Sequence, residues 1–134
     1  MNEYVIGQFP IRQMMDRFSD FGDSIIQDIR ISMAGGEDNY YVTLILYAID
    51  DTVQDDVLGG YVNVTFSIFG IEEFKVDYST HYNLQIISSG FNIVFINDFI
   101  HLDFYGVYAK TPEELRKSRL YFICKKCVVK VEPI

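Results

Sequence analysis

Two histidines and two cysteines are the side chains of this 134-residue sequence that most often carry catalysis or hold a metal ion. His101 is followed two residues later by Asp103, and on a strand the two would share one face as an imidazole–carboxylate pair. A general base also needs a nucleophile within reach, and none is identified, so we predict no catalytic residues and no enzyme. One alternative stays open, a metal-dependent hydrolase in which His81 and His101 converge with nearby carboxylates.

Cys124 and Cys127 frame a Cys-Lys-Lys-Cys segment. A structural zinc site needs four ligands, and this pair supplies only two. A thioredoxin-like pair lies at a helix N-terminus, whereas these residues fall inside a strand pattern, where positions i and i+3 face opposite sides. The first residues show no signal peptide, which predicts a cytoplasmic protein with reduced thiols. We also predict no cofactor.

Charge is distributed unevenly along the chain, whose formal net charge is −8. Residues 31–109 carry one cation, Lys75, against eleven carboxylates, and residues 110–130 carry seven cations against two glutamates. An acidic balance disfavours binding to nucleic acid and to anionic lipid. The chain also lacks the roughly 18 consecutive apolar residues of a membrane span. A basic protein partner is the natural electrostatic complement.

Four aspartates concentrate in the segment 50–56, which reads Asp-Asp-Thr-Val-Gln-Asp-Asp. Its spacing is not that of a calcium-binding loop. The open interpretations are a solvated loop, a docking surface for a basic partner and a weak cation site. The predicted partner-binding residues are Asp50, Asp51, Asp55, Asp56, Glu37 and Asp38.

The elements that would position these residues are mostly strands. Apolar residues alternate with polar ones along much of the chain, and 16% of the residues are aromatic. The pattern predicts a helix over 10–18, strands over 25–33, 40–49, 61–69, 71–78, 82–88, 91–96, 99–105 and 120–131, a turn at Asn97-Asp98, and a helix near 112–118 capped by Thr111. We therefore predict one domain, 1–134, of the α+β class and mainly β, whose antiparallel meander forms a sandwich or a partly closed barrel.

The segment Phe18-Ser19-Asp20-Phe21-Gly22-Asp23-Ser24 comes directly before an alternating strand. This arrangement resembles the opening of small bacterial immunity proteins of polymorphic-toxin systems, in which an aromatic–x–Asp–Ser element precedes the first strand. The β-meander, the hairpin within 93–105 and the final Val-x-Val-Glu also fit their layout, although Gly22 replaces a histidine and the last strand has no tryptophan. The resemblance implies a protein that binds a cognate toxin and blocks it. It makes Phe21, Asp23 and Ser24 a structural turn motif, in which Asp23 and Ser24 are suited to satisfying backbone donors.

The predicted function is therefore that of a non-enzymatic protein-binding domain, an immunity protein that neutralises a toxin through acidic loops. The alternative is a small-ligand-binding β-barrel, because eleven Phe and ten Tyr residues are numerous enough to line a cavity.

Overall fold

A computed structural model describes residues 2–7, 11–33, 40–53, 60–77, 86–87 and 90–134. The strands are β1 (Glu3–Val5), β2 (Ser24–Ser32), β3 (Tyr41–Ile49), β4 (Tyr61–Phe69), β5 (Glu73–Val76), β6 (Ile86–Ile87), β7 (Asn92–Ile96), β8 (Phe99–Asp103), β9 (Leu120–Cys124) and β10 (Lys126–Pro133). Two short helices, α1 (Ile11–Arg17) and α2 (Pro112–Leu115), and a single 3₁₀-type turn at Ser19–Phe21 complete the described elements.

The strands form two antiparallel sheets. The larger sheet has the order β1-β10-β4-β3-β2-β6, and the smaller has the order β5-β9-β8-β7. The meanders β2-β3-β4 and β7-β8-β9 are local, whereas β10 returns from the small sheet to lie between β1 and β4. The prediction of a mainly β, antiparallel α+β fold is confirmed in its sandwich form.

The core lies between the sheets because the central strands have strictly alternating faces. Buried residues on β3 and β4 are Val42, Leu44, Leu46, Ala48, Val62, Val64, Phe66 and Ile68. From the large sheet, the ring of Phe66 contacts the rings of Phe91 and Phe104 at centroid distances of 5.2 and 5.3 Å. Helix α1 adds Met14 and Met15, which its i, i+3, i+4 spacing places on one buried face.

Several local predictions are confirmed. Asn97 and Asp98 have φ angles of 52° and 66°, as a two-residue hairpin turn between β7 and β8 requires. Thr111 caps α2 by accepting a hydrogen bond from the Glu114 amide at 3.2 Å. The helix itself ends at Leu115, earlier than the predicted boundary near 118.

The predicted last strand, 120–131, is in fact two strands in different sheets. The chain leaves the small sheet after Cys124 and enters the large sheet at Lys126. At this crossing the Lys125 amide approaches the carbonyls of Phe69 and Gly70 at 3.2 and 3.1 Å. Because the chain changes sheets here, Cys124 and Cys127 both point into the shared core, and the expectation that they face opposite sides is wrong.

Burial makes both thiols poor nucleophiles. It raises the pKa of Cys124 to about 12, and it raises the pKa of Cys127 well above the ordinary thiol value. Both cysteines are free, without a disulfide.

The predicted strands 71–78 and 82–88 are described only in part, as β5 and β6. Within the described ranges, no helix has the length and apolar character needed to cross a membrane.

Candidate partner-binding site at the acidic end

The turn that joins α1 to β2 has an unusual backbone. Ser19, Asp20 and Phe21 have φ angles of 51°, 55° and 58°, and Asp23 follows at 60°. Left-handed conformations cost a non-glycine residue about 1–2 kcal/mol each, so this turn must be held by its surroundings. The Phe18 and Phe21 rings, both buried, stack with their centroids 4.8 Å apart and hold it from the core side.

The motif residues Phe21, Asp23 and Ser24 have different roles in this turn. Phe21 is fully buried, and its ring packs edge-on against Phe66 and Phe91. The Asp23 amide donates to the Ile87 carbonyl at 2.8 Å, and its side chain is exposed. Ser24 is fully buried, and its hydroxyl has no hydrogen-bond partner among the described residues.

Backbone carbonyls satisfy the donors of this turn. The Phe21 amide donates to the Phe18 carbonyl at 2.9 Å, and the Gly22 amide donates to the Ser19 carbonyl at 3.1 Å. The interpretation that the side chains of Asp23 and Ser24 satisfy backbone donors is therefore not what the structure shows.

Of the two predicted partner-binding residues that the structure describes, Asp50 lies inside the protein. Its side chain has 0% exposure, and the Arg17 guanidinium donates to its two oxygens at distances of 2.6 to 3.0 Å. Thr52 donates to the same carboxylate from its amide and its hydroxyl, at 2.9 and 2.6 Å. This carboxylate cannot contact a partner in the folded protein, so Asp50 is removed from the candidate surface.

The buried pair has a clear electrostatic signature. Burial alone would raise the pKa of Asp50, but the hydrogen bonds from Arg17 and Thr52 outweigh it and the pKa is lowered. The pKa of Arg17 is raised, mainly by its hydrogen bond to Asp50. Arg17 also donates to the Tyr4 hydroxyl at 2.9 Å, which links α1 to β1 and to the end of β3.

Asp51 differs from its neighbour in being exposed. It accepts a hydrogen bond from the Ser19 hydroxyl at 3.0 Å, and its amide donates to the Arg17 carbonyl at 3.0 Å. These contacts bring the loop after β3 beside the turn before β2. The other predicted partner-binding residues, Asp55, Asp56, Glu37 and Asp38, lie outside the described residues.

We call this region the acidic end and define it by four exposed or half-buried carboxylates: Asp16, Asp20, Asp23 and Asp51. Segments 11–24 and 50–53 hold five carboxylates and two guanidinium groups, a net charge of −3. Arg17 is already bound to Asp50, so Arg12 is the one largely exposed cation of these two segments. Asp16 and Asp20 were not singled out from the sequence, because their nearness to Asp51 depends on long-range packing.

A cleft of about 320 Å³ borders the acidic end. Its lining residues are Ile11, Arg12, Met15, Asp20, Phe91, Asn92, Ile93 and Tyr108. Gly90 lies beside two of these residues, Asp20 and Tyr108, with a φ of 83°, and a Cβ there would lie 3.2 Å from the Asp20 carbonyl oxygen. Glycine at this position therefore allows the chain before β7 to approach the turn closely.

Two carboxylates elsewhere in the acidic stretch 31–109, Glu73 and Asp77, are paired with arginines of the basic segment. Arg116 binds Glu73 at 3.0 Å, and Arg119 binds Asp77 at 2.6 Å. The pKa of Glu73 is lowered, first by its hydrogen bond from Arg116 and then by one from the Tyr121 hydroxyl. The basic segment thus partly neutralises strand β5, and it does so away from the acidic end.

His101 and Asp103 share the outer face of β8, as their spacing predicts, but Asp103 is committed elsewhere. Its buried carboxylate accepts hydrogen bonds from the Ser118 hydroxyl at 2.7 Å and from four backbone amides, those of Tyr105, Gly106, Val107 and Tyr108. Burial lowers the pKa of His101, an effect that Glu73 partly opposes. Its Nδ1 atom has no hydrogen-bond partner among the described residues.

The two alternative functions require different sites: a metal-dependent hydrolase needs a cluster of metal ligands, and a ligand-binding barrel needs a cavity. In the described ranges, no group of three His, Cys, Asp or Glu side chains is placed to hold a metal ion. His81 lies outside those ranges, so its distance from His101 is not described. Core aromatics that suggested a ligand cavity contact one another instead, as Phe91 and Phe104 do with ring centroids 4.4 Å apart.

Comparisons with protein-family models, curated proteins and solved structures gave no match to this chain.

Proposed function

We propose that this protein is a non-enzymatic binding protein that captures a basic protein partner at the acidic end, in the manner of an immunity protein that neutralises a bacterial toxin. The observation that carries the proposal is the net charge of −3 over segments 11–24 and 50–53. The four carboxylates of the acidic end are exposed or half-buried, whereas the Asp50 carboxylate is buried against Arg17. A surface of this kind attracts a cationic partner and raises its rate of association.

The internal ion pairs support the acidic end over other carboxylates. Asp50, Glu73 and Asp77 are each bound to an arginine of the same chain. Binding a partner through any of these would first require breaking a contact within the fold. Asp23 and Asp51 carry no such ion pair in the described structure, and the pairs of Asp16 and Asp20 with Arg12 are exposed.

The turn residues support the same region. The segment that resembles the opening of immunity proteins, from Phe18 to Ser24, contributes Asp20 and Asp23 to the acidic end. Its left-handed backbone is a cost that the core contacts of Phe18 and Phe21 offset. The reduced, buried state of Cys124 and Cys127 agrees with a cytoplasmic protein, which is where we place it.

The test is co-expression of the chain with the product of the adjacent upstream reading frame, followed by affinity and growth-rescue measurements. The key variant replaces all four carboxylates by amides: Asp16→Asn, Asp20→Asn, Asp23→Asn and Asp51→Asn. Asparagine keeps the side-chain shape and tolerates the left-handed φ of Asp20 and Asp23. We expect a loss of affinity of about tenfold or more and a weaker dependence on salt.

A matched control removes four exposed negative charges elsewhere, through Glu72→Gln, Asp98→Asn, Glu113→Gln and Glu132→Gln. Thermal unfolding confirms that both variants are folded. If the control variant loses as much affinity as the acidic-end variant, only net charge matters and the site is wrong. If no basic protein is bound by the wild type, the proposed function itself is wrong.

A further inference from the structure

Resting on the proposed function, we infer that the cleft beside the acidic end receives an arginine side chain of the partner, and that Arg12 occupies the place of its guanidinium in the free protein.

The first argument is the geometry of Arg12. Its Nε atom lies 2.7 Å from Asp16 and its Nη2 atom lies 2.5 Å from Asp20, so one guanidinium bridges two carboxylates. A planar fork of donors binds carboxylates in this way, and the compact ammonium of lysine does not reproduce it. The two carboxylates are therefore already spaced for a guanidinium.

The second argument is that Arg12 is easily displaced. Its side chain is 65% exposed, and those of Asp16 and Asp20 are 68% and 51% exposed. Exposed ion pairs contribute about 0.2–1 kcal/mol each, in contrast to the buried pair of Arg17 and Asp50. A second guanidinium can replace Arg12 without disturbing the fold.

The third argument is the shape of the cleft next to this pair. Its volume of about 320 Å³ is large enough for one side chain. Half-buried Ile11 and Ile93 provide apolar surface for the methylene stem of an arginine. At the rim the Tyr108 ring, in a residue that is 55% exposed, can stack on a guanidinium, and the side-chain carbonyl oxygen of Asn92 can accept a hydrogen bond from it.

The fourth argument is charge. Displaced Arg12 stays on the surface, but the incoming cation meets a region whose net charge is −3 with Arg12 included. An apolar or acidic side chain gains nothing from this field. The occupant that fits the cleft, the carboxylate spacing and the charge together is an arginine.

The test uses a small probe, so that it does not require the natural partner. N-acetyl-arginine amide is titrated into the isotope-labelled protein, and amide shifts are followed at Asp20, Asn92, Ile93 and Tyr108. N-acetyl-citrulline amide has nearly the same shape without the charge. We expect Arg12→Gln to bind the arginine probe about 2- to 30-fold more tightly than the wild type, since two exposed pairs no longer compete.

A matched control is Arg30→Gln, which removes a similarly exposed arginine, 72% against 65% for Arg12, from a pair with Asp28. Its net charge equals that of the Arg12 variant, and we expect wild-type affinity for the probe. Adding Asp20→Asn to Arg12→Gln should cancel the gain.

Equal tightening by both arginine variants, or equal shifts with citrulline, overturns the inference. If a basic protein binds the acidic end and its affinity for the Arg12→Gln variant equals that for the wild type, the inference is wrong and the proposed function still holds. Conversely, tight probe binding without any protein partner supports the arginine site and contradicts the proposed function.

Discussion

The two ends of the sandwich differ in chemistry. At the acidic end, left-handed turns and carboxylates meet beside the start of β2 and the end of β3. The opposite end, where β2 ends and β3 begins, exposes apolar side chains instead: Ile31, Met33, Tyr40, Tyr41, Phe69 and Phe74. There the cation of Lys126 lies 5.8 Å from the centre of the Phe69 ring, in place of a carboxylate pair.

Comparison of the two ends shows which carboxylates stabilise the folded protein and which are exposed on its surface. Asp50 and Asp51 are neighbours in sequence at the acidic end, yet the first is buried against Arg17 and the second is exposed. Burial separates a carboxylate that stabilises the protein from one that is free to meet a partner. Around the pocket at the opposite end, five of the six lining residues are apolar or aromatic and Glu72 is the one carboxylate, so no such division arises among them.

The sharpest way to break this distinction is to remove the charge of Asp50 and of Asp51 in turn. Asp50→Asn removes the buried carboxylate that the Arg17 guanidinium, 12% exposed, binds, and should lower the free energy of unfolding by about 3–5 kcal/mol. Asp51→Asn removes an exposed charge and should change it by less than about 1 kcal/mol. Urea denaturation measures both, and equal losses would show that the buried pair has no special role.

Acid denaturation tests the same pair through its pKa. Asp50 has a lowered pKa in the folded protein, so the stability that it contributes is present above about pH 4 and is lost as the pH falls through the folded value. The wild type should therefore lose stability below pH 4 more steeply than Asp50→Asn. Urea midpoints between pH 5 and pH 2.5 provide the measurement, and parallel curves would contradict the assigned pKa direction.

Local signals in the sequence predicted the local structure well. The Asn97-Asp98 turn, the Thr111 cap and the alternation along β4 each depend on residues close together in the chain. The split between β9 and β10 could not be predicted, since apolar residues resume directly after Lys125 and Lys126 and the change of sheet depends on where β4 ends.

The site shows the same limit. The aspartates at 50 and 51 look alike in sequence, and what buries Asp50 is an arginine 33 residues earlier. The cleft likewise joins α1, the turn before β2, the start of β7 and Tyr108, which the sequence keeps far apart. Charge counting pointed to a basic partner, but only packing distinguishes the exposed carboxylates from the buried ones.

His101, on β8 of the small sheet, provides a test of how burial affects the pH dependence of stability. Burial lowers its pKa below the ordinary value of 6.5, so the folded protein resists a proton that the unfolded chain accepts. Stability should therefore fall as the pH drops from about 6.5 toward the folded value. His101→Gln cannot titrate, so its urea midpoint should fall less between pH 7.5 and pH 5. His81 is present in both proteins. An identical fall in the two urea midpoints would therefore mean that a group other than His101 causes the pH dependence.

The smallest expected effect compares two serines that are both fully buried, Ser24 and Ser118. The Ser118 hydroxyl donates to Asp103 at 2.7 Å and accepts from the Leu120 amide at 3.3 Å, so Ser118→Ala should cost about 1–3 kcal/mol. Ser24 has a hydroxyl without a partner among the described residues, and Ser24→Ala should leave stability unchanged or raise it by up to about 1 kcal/mol. Thermal and urea unfolding of the two alanine variants measure the difference.

A loss of stability at Ser24 as large as that at Ser118 would mean that the serine of the Asp-Ser motif does hold the turn through its side chain. If Ser24→Ala is as stable as the wild type, the backbone of the motif and the Phe21 side chain hold the turn instead.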